Sequence, residues 1–594
     1  MYFRGPAISV LFLSLIPSAV LSQTHGGGGR SSTPRPSSAG NPANTGLPIP
    51  SATPVTTADQ EGRIEFRTQA VLIQVPIVVT DKSGNHIHGM TRENFHVLEN
   101  GKEQKISGFE EVTPNAAKLP VVATQPGEFR NLTLTEQDPH IVTVIALDTV
   151  NTPFLDQATG RRELVKYLAS NLSSGQVLAM MIITSHGLKI VQGLTGDPAQ
   201  LLAALKKAGG ELPAMHEVDL DAQADAAAGD ISDLGSIPLD SDPTSAIDDF
   251  VQRGDAIYAQ FQQQNAIETT MNAFLGIARS LSGIPGRKSL IWATGGFPFT
   301  ISSPAAVPGG YLSGLYERAM DALAAAQISV YPVDVRGLVN NNPIGDASIS
   351  RPRVGSALVR QMGNRAWLQQ STIDTLNEFA EMTGGKAFYN TNDLATSFQR
   401  AADDASSYYL ASYYLDMRND RAGWRQLKVK VDKKDTDVRA RKGFFVTNAT
   451  LHMEISRDTD MRYALTSPLE GTGVPLSMKW LPATRDGEKK KAGFLIHFPV
   501  DAVTIENHEG QRRFNFDVAA IAFTADGKNS KTANATSKTV TAAIPDAKMS
   551  PLREKGLTME DSLELDPGQY VVRVVVRDNV TGRIGSVTAP LSVN

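Results

Sequence analysis

The chain has 594 residues, with 57 Lys+Arg against 62 Asp+Glu and a formal net charge of -5; it is too long for one hydrophobic core, and it carries no overall field directed at nucleic acid or an anionic membrane. It contains no Cys, which excludes disulfides, thiolate metal sites and a Cys nucleophile. Apolar cores alone must hold its folds.

Residues 1–22 read as a secretory signal peptide: Arg4, the apolar run AISVLFLSLI, then small residues Val20 and Ser22 ahead of Gln23. The expected location is therefore secreted or periplasmic. The apolar run is too short to cross a bilayer, so no membrane span is expected after cleavage. Residues 23–62 are rich in Gly, Pro, Ser and Thr and bury too little to fold, which predicts a disordered linker. Residues 63–115 alternate β-branched runs with the turn signals DKSGN and ENGK, a β segment too small to stand alone.

From 139 to 405 strands and helices alternate, which predicts an α/β unit: a doubly wound, mostly parallel sheet of six strands. The strands are IVTVIAL, QVLAMMIIT, LKIVQGL, SLIWAT, ISVYPVDV and KAFY. A helix over 258–281 puts Ile267, Met271, Phe274, Ala278 and Leu281 on one stripe. Ahead of it, residues 211–257 form an acidic insertion with twelve acids and one Arg. Residues 406–447 return to alternation and are expected to complete a β-sandwich with 63–115, leaving the α/β unit as an insertion. Residues 450–594 read as a second, immunoglobulin-like β-sandwich.

Ligands of such sheets sit beyond the carboxyl ends of the strands, where Asp148, Thr294 and Asp334 fall. With VVTDKSGNHIHGMTRENFHVLENGKEQKISGF at 78–109, VIALDTVNT at 144–152, IPGRKSLIWATGGF at 284–297, and SSYYLASYYL, RQLKVKV and VRARKGFF beyond, the chain resembles the secreted von Willebrand factor type A related proteins of the acidobacterial type. The resemblance implies a protein-binding or assembly domain rather than an enzyme. It also implies a divalent cation on the sheet rim, held by an Asp-x-Ser-x-Ser loop, a Thr from a second loop and an Asp from a Thr-Asp-Gly turn.

Here Asp148 matches the first Asp and Thr152 the second hydroxyl, while Val150 stands where the first Ser belongs. Thr294 matches the turn, Gly295 replaces its acid, and Glu211 stands near the place of the middle Thr. Asn151 and Asp334 could add oxygens, so the candidate metal ligands are Asp148, Asn151, Thr152 and Asp334, with Thr294 and Gly295 beside them on the rim. The cofactor would be Mg²⁺ or another divalent cation. The other reading is that Asp148 and Asn151 accept backbone N–H bonds in a strand-to-helix turn.

Other patterns are weaker. Asp219, Asp221 and Asp230 match three positions of a calcium loop, but Gln223 and Ala224 occupy places that need an acid and a Gly. His86 and His88 are two imidazoles without a third ligand. Tyr408, Tyr409, Tyr413 and Tyr414 fit half-buried strand packing or carbohydrate stacking. No nucleophile elbow, zincin helix or phosphate loop is present. The expected function is non-enzymatic binding or adhesion to a protein partner through the rim loops 149–156, 211–257, 295–310 and 337–370, with a degenerate metal site. The rivals are an envelope-polymer hydrolase and a purely structural envelope component.

Overall fold

A computed structural model describes residues 53–55, 71–113, 127–131, 142–170, 177–208, 243–297, 311–338, 372–415, 423–446, 449–482, 484–486, 489–508, 511–525 and 531–593. The expected signal peptide, most of the linker and the acidic positions Asp219, Asp221 and Asp230 lie outside them, as does Glu211.

The two alternating stretches at 71–112 and 408–446 pair with each other. Val71–Asp81 runs antiparallel to Tyr408–Leu415, with Tyr409 opposite Ile77, and to Thr436–Arg439. Gly108–Val112 extends that sheet along Tyr408–Leu415. A second sheet joins Gly423–Val431 to Phe95–Glu99 and to Gly443–Val446. Val75, Ile77, Val97, Tyr409, Tyr413 and Leu427 fill the space between the two sheets, as period-2 alternation requires.

The central sheet corrects the expected fold class. It is not a six-stranded, mostly parallel, doubly wound sheet: it holds five described strands, Ile328–Asp334, Lys288–Thr294, Val142–Asp148, Val177–Thr184 and Gly187–Thr195, adjacent in that order. The first four are parallel and the last is antiparallel. Thr184 is opposite Gly187, so only Ser185 and His186 connect the last two strands; a turn that short leaves no room for the crossover a parallel partner needs. The sixth expected strand, KAFY, supplies a single bridge from Phe388 to Val333. Among the described residues, all the other sheets are antiparallel but for the short strand Thr53–Val55.

Both faces of the central sheet are covered. Val142, Val144 and Ala146 pack with Leu290 and Trp292 against the helices Pro243–Leu281, Tyr311–Ala325 and 372–383. Ile145 and Leu147 point the other way, to Leu164 and Leu168 of Phe154–Ser170, Leu201 of Pro198–Ala208 and Phe398 of Leu394–Asp404. The helix expected from 258 begins at Pro243, since Pro suits a first helical position and 244–257 contain no strong stop.

The C-terminal sandwich stacks the sheet of Gln511–Thr524, Thr532–Pro545, Gly568–Asp578 and Ile584–Val593 on that of Ser477–Trp480 and Lys489–Phe498, with Phe494, Phe516 and Val574 between. Two features went unread in the sequence. Glu128–Arg130 adds a strand to Ser477–Trp480, and the neighbouring Asn131 buries its amide, donating to Gly471 O and Val474 O at 2.6 and 2.9 Å. Helix Ala449–Thr466 covers the outer face of the larger sheet through Met461, Ala464 and Leu465, and its Asp460 pairs with both Arg279 and the buried Arg577.

Candidate functional site at the carboxyl ends of the central strands

The strand Val142–Asp148 is buried throughout, and it ends on an acid because the surrounding turn is built of donors. Asp148 is 2% exposed. Its Oδ1 accepts the backbone N–H of Val150 and of Asn151, both at 3.0 Å. Its Oδ2 accepts Asn151 Nδ2 at 2.8 Å and the indole N–H of Trp292 at 2.9 Å. Thr294 Oγ1 lies 3.1 Å from the same oxygen and 2.7 Å from Gly296 O, and its single proton serves one of them. Burial holds the Asp148 carboxyl above its ordinary range, and the bonds from Asn151, Trp292 and Thr294 offset that rise only in part.

Asp334 and Asp148 flank Thr294 on its two neighbouring strands. Thr294 is opposite Asp334, and Ala293 is opposite Leu147. Asp334 is nonetheless committed elsewhere: Arg336 clasps it with Nε to Oδ1 at 2.9 Å and Nη2 to Oδ2 at 2.7 Å, and donates its backbone N–H at 3.0 Å. Thr152 Oγ1 accepts the backbone N–H of Gly295 at 2.8 Å. A Cβ on Gly295 would stand 2.9 Å from Pro153 Cδ and 3.1 Å from Asn151 O, so the acid of a Thr-Asp-Gly turn has no room here.

These residues do not fit a divalent cation. Mg²⁺ and Ca²⁺ need about six oxygens with lone pairs to offer. Both Asp148 oxygens are faced by N–H donors, Asp334 is held in a fork by a guanidinium, and Val150 offers no side-chain oxygen. What is left over is Asn151 Oδ1, buried without a partner while Nδ2 serves Asp148 and Thr270, and the second lone pair of Thr152 Oγ1, too few for six positions. Among the described residues there is no group of three or more His, Cys, Asp or Glu able to hold a metal.

The donors missed in the sequence carried a signal. Trp292 and Thr294 are two apart on one strand and so face the same side, and Arg336 stands two residues beyond Asp334. His86 and His88 do not converge: His86 Nε2 lies 3.2 Å from Asp403 O, and His88 Nδ1 is 2.8 Å from Glu111 Oε1. Tyr408, Tyr409 and Tyr413 are buried packing residues, while Tyr414 is 58% exposed.

On the same rim two large apolar side chains face solvent, Phe154 at 51% and Leu338 at 62% exposure. Phe154 opens the helix that follows Pro153. Gly160 of that helix meets Val335, whose Cγ1 would lie 2.9 Å from an added Cβ. Phe154 is then about 9 Å further along the helix axis, toward the loop that carries Leu338 past Asp334. Leu338 is held there by its backbone N–H to Asn392 Oδ1 at 2.9 Å. The remaining loops expected from the sequence at the rim fall at 211–242, 298–310 and 339–371, outside the described residues.

No family model and no curated protein matches the chain. Among solved structures it is similar to the TFIIH p34 N-terminal domain, at 12% identity over 45% of this chain and 98% of that one, with a TM-score of 0.19. A likeness of that size carries no argument about function.

Proposed function

We propose that this is a non-enzymatic exported protein, related to the secreted von Willebrand factor A type, that binds a protein partner at the carboxyl ends of its central strands without using a metal. The observation that carries this reading is the pairing of a hydrogen-bond-saturated Asp148 with the exposed Phe154 and Leu338 on one rim. A carboxylate covered by N–H donors has little left for a cation or a proton-transfer step. Exposed aromatic and aliphatic side chains on a supported turn are suited to anchor a partner.

Two fixed strand ends, tied across Asp148–Trp292 and Thr152–Gly295, would present those anchors from a rigid base. The export signal read at 1–22 supports an envelope or extracellular partner. The test is capture from the native envelope with wild-type protein, Phe154→Glu and Leu338→Glu, each with and without EDTA. The expected result is a partner enriched by the wild type in both conditions and lost from both variants. Equal capture by all three proteins, or capture abolished by EDTA, would refute the reading.

A further inference from the structure

The C-terminal sandwich has an edge that, among the described residues, is covered only in part. Thr532–Pro545 is 14 residues long, and its inner side pairs along its length with Gln511–Thr524. On its outer side, the strand paired with it among the described residues is Thr53–Val55. That pairing is parallel, with Thr53 opposite Lys538, Pro54 opposite Thr539 and Val55 opposite Val540.

Free edges are normally blunted by charges, prolines or bulges. This edge has one charged residue, Lys538, and its ammonium is drawn to Asp561 of the facing sheet at 2.7 Å. Asn534 Nδ2 donates to Glu564 O at 2.7 Å, so a corner formed with Leu557–Leu565 shields the first part of the edge. The added strand begins opposite Lys538, whose ammonium reaches Asp561 of that same corner.

The added sequence suits its place. Pro54 has no N–H and is tolerated in a strand only where its nitrogen faces away from the ladder. Its neighbours Thr53 and Val55 are β-branched and keep their N–H groups, and strand alternation directs both toward the edge when Pro54 is directed away.

We propose that Thr532–Pro545 is a strand-accepting edge and that its occupant is this chain's own Thr53–Val55, which clasps the stretch ahead of the first sandwich onto the last. The chemistry it recognises is an extended segment with β-branched residues on either side of a proline. Val55 and Val71 are sixteen positions apart (71 − 55), so the chain presents this strand at a local concentration that a free peptide does not match.

The absence of Cys makes a direct test available in the full chain. Thr53→Cys with Lys538→Cys supplies the only two thiols, at paired positions whose spacing on neighbouring strands suits a disulfide. On oxidation the expected product is a monomer with residues 53 and 538 in one linked tryptic fragment. Thr53→Cys with Ala543→Cys, out of register, is expected to link roughly tenfold less. Adding Val55→Pro to the in-register pair removes a ladder N–H and is expected to cut linkage by about tenfold at an unchanged melting temperature. A disulfide-linked dimer, equal yields from the two pairs, or linkage indifferent to Val55→Pro would each overturn the proposal.

Discussion

The indole N–H of Trp292 donates to the Asp148 carboxylate across 2.9 Å, from the strand next to the one the acid terminates. The ring is itself fixed, edge-on to Phe274, Phe297 and Phe379. Trp292→Phe keeps an aromatic ring in place but leaves a buried carboxylate oxygen short of a partner. The expected cost is about 2 to 3 kcal/mol, read from urea unfolding. Asp148→Asn should cost at least as much, because either amide orientation turns an N–H₂ toward groups that are themselves donors. A neutral or stabilising Asp148→Asn would show that these bonds do not hold the turn.

A carboxylate engaged in this way also predicts indifference to divalent cations. A site with a Kd of about 1 mM would raise stability by roughly 1.4 kcal/mol at about 10 mM Mg²⁺. No such rise is expected in the wild type, or in Asp148→Ala measured beside it. A Mg²⁺-dependent increase present in the wild type and absent from Asp148→Ala would reinstate the cation.

Continuous apolar runs mark the three buried strands that end on Asp148, Thr294 and Asp334, since a strand covered on both faces has no polar side. Strand partnership is less visible. Gly187–Thr195 reads like its neighbours, yet the Ser185–His186 turn makes it antiparallel, and Lys386–Tyr389 is apolar enough for a strand but contributes one bridge at Phe388. Glu128–Arg130 joins a sheet whose other strands begin more than three hundred residues later (477 − 130 = 347), and three residues hold no periodicity to reveal it. At the rim, the residues able to hold a metal are legible, but their competitors are not. Trp292 and Arg336 occupy the acids through side-chain geometry that residue spacing does not encode.

Lys288 is buried at the amino end of the same strand as Trp292, and its ammonium donates to Ile284 O. Burial lowers its pKa from 10.5 to about 7. The folded protein therefore holds this proton less tightly than the unfolded chain. The stability lost to Lys288 is constant below about pH 7, and it is recovered as pH rises from about 7 toward 10.5. Lys288→Met keeps the volume without the charge and is expected to stabilise by about 2 kcal/mol at pH 6, after the loss of one hydrogen bond, with the gain shrinking toward pH 10. A gain of the same size at both pH values would rule out the charge as its cause.

Asp321 acts with the opposite sign. It lies half-buried in the seam where helix Tyr311–Ala325 meets the first sandwich, among Met320, Trp424, Arg441 and Phe445. Burial raises its pKa from 3.8 to about 7, helped by Glu317 and opposed by the Phe445 N–H and the Arg441 guanidinium. Arg441 cannot fully compensate, because it also lies over the Phe444 ring and donates to Gln74 O at 2.9 Å. The folded protein keeps the Asp321 proton after the unfolded chain has lost it, so stability falls as pH rises from about 3.8 to about 7 and stays low above that. Asp321→Asn is expected to stabilise by roughly 1 to 3 kcal/mol at pH 8, a range reduced for partial exposure, and by almost nothing near pH 4. Arg441→Met should steepen the same loss by removing the attraction that favours the charged form. Urea midpoints for the wild type and both variants at pH 4.5, 6 and 8 separate these outcomes, and an Asp321→Asn gain that does not grow with pH would show that the seam does not hold this carboxyl in its neutral form.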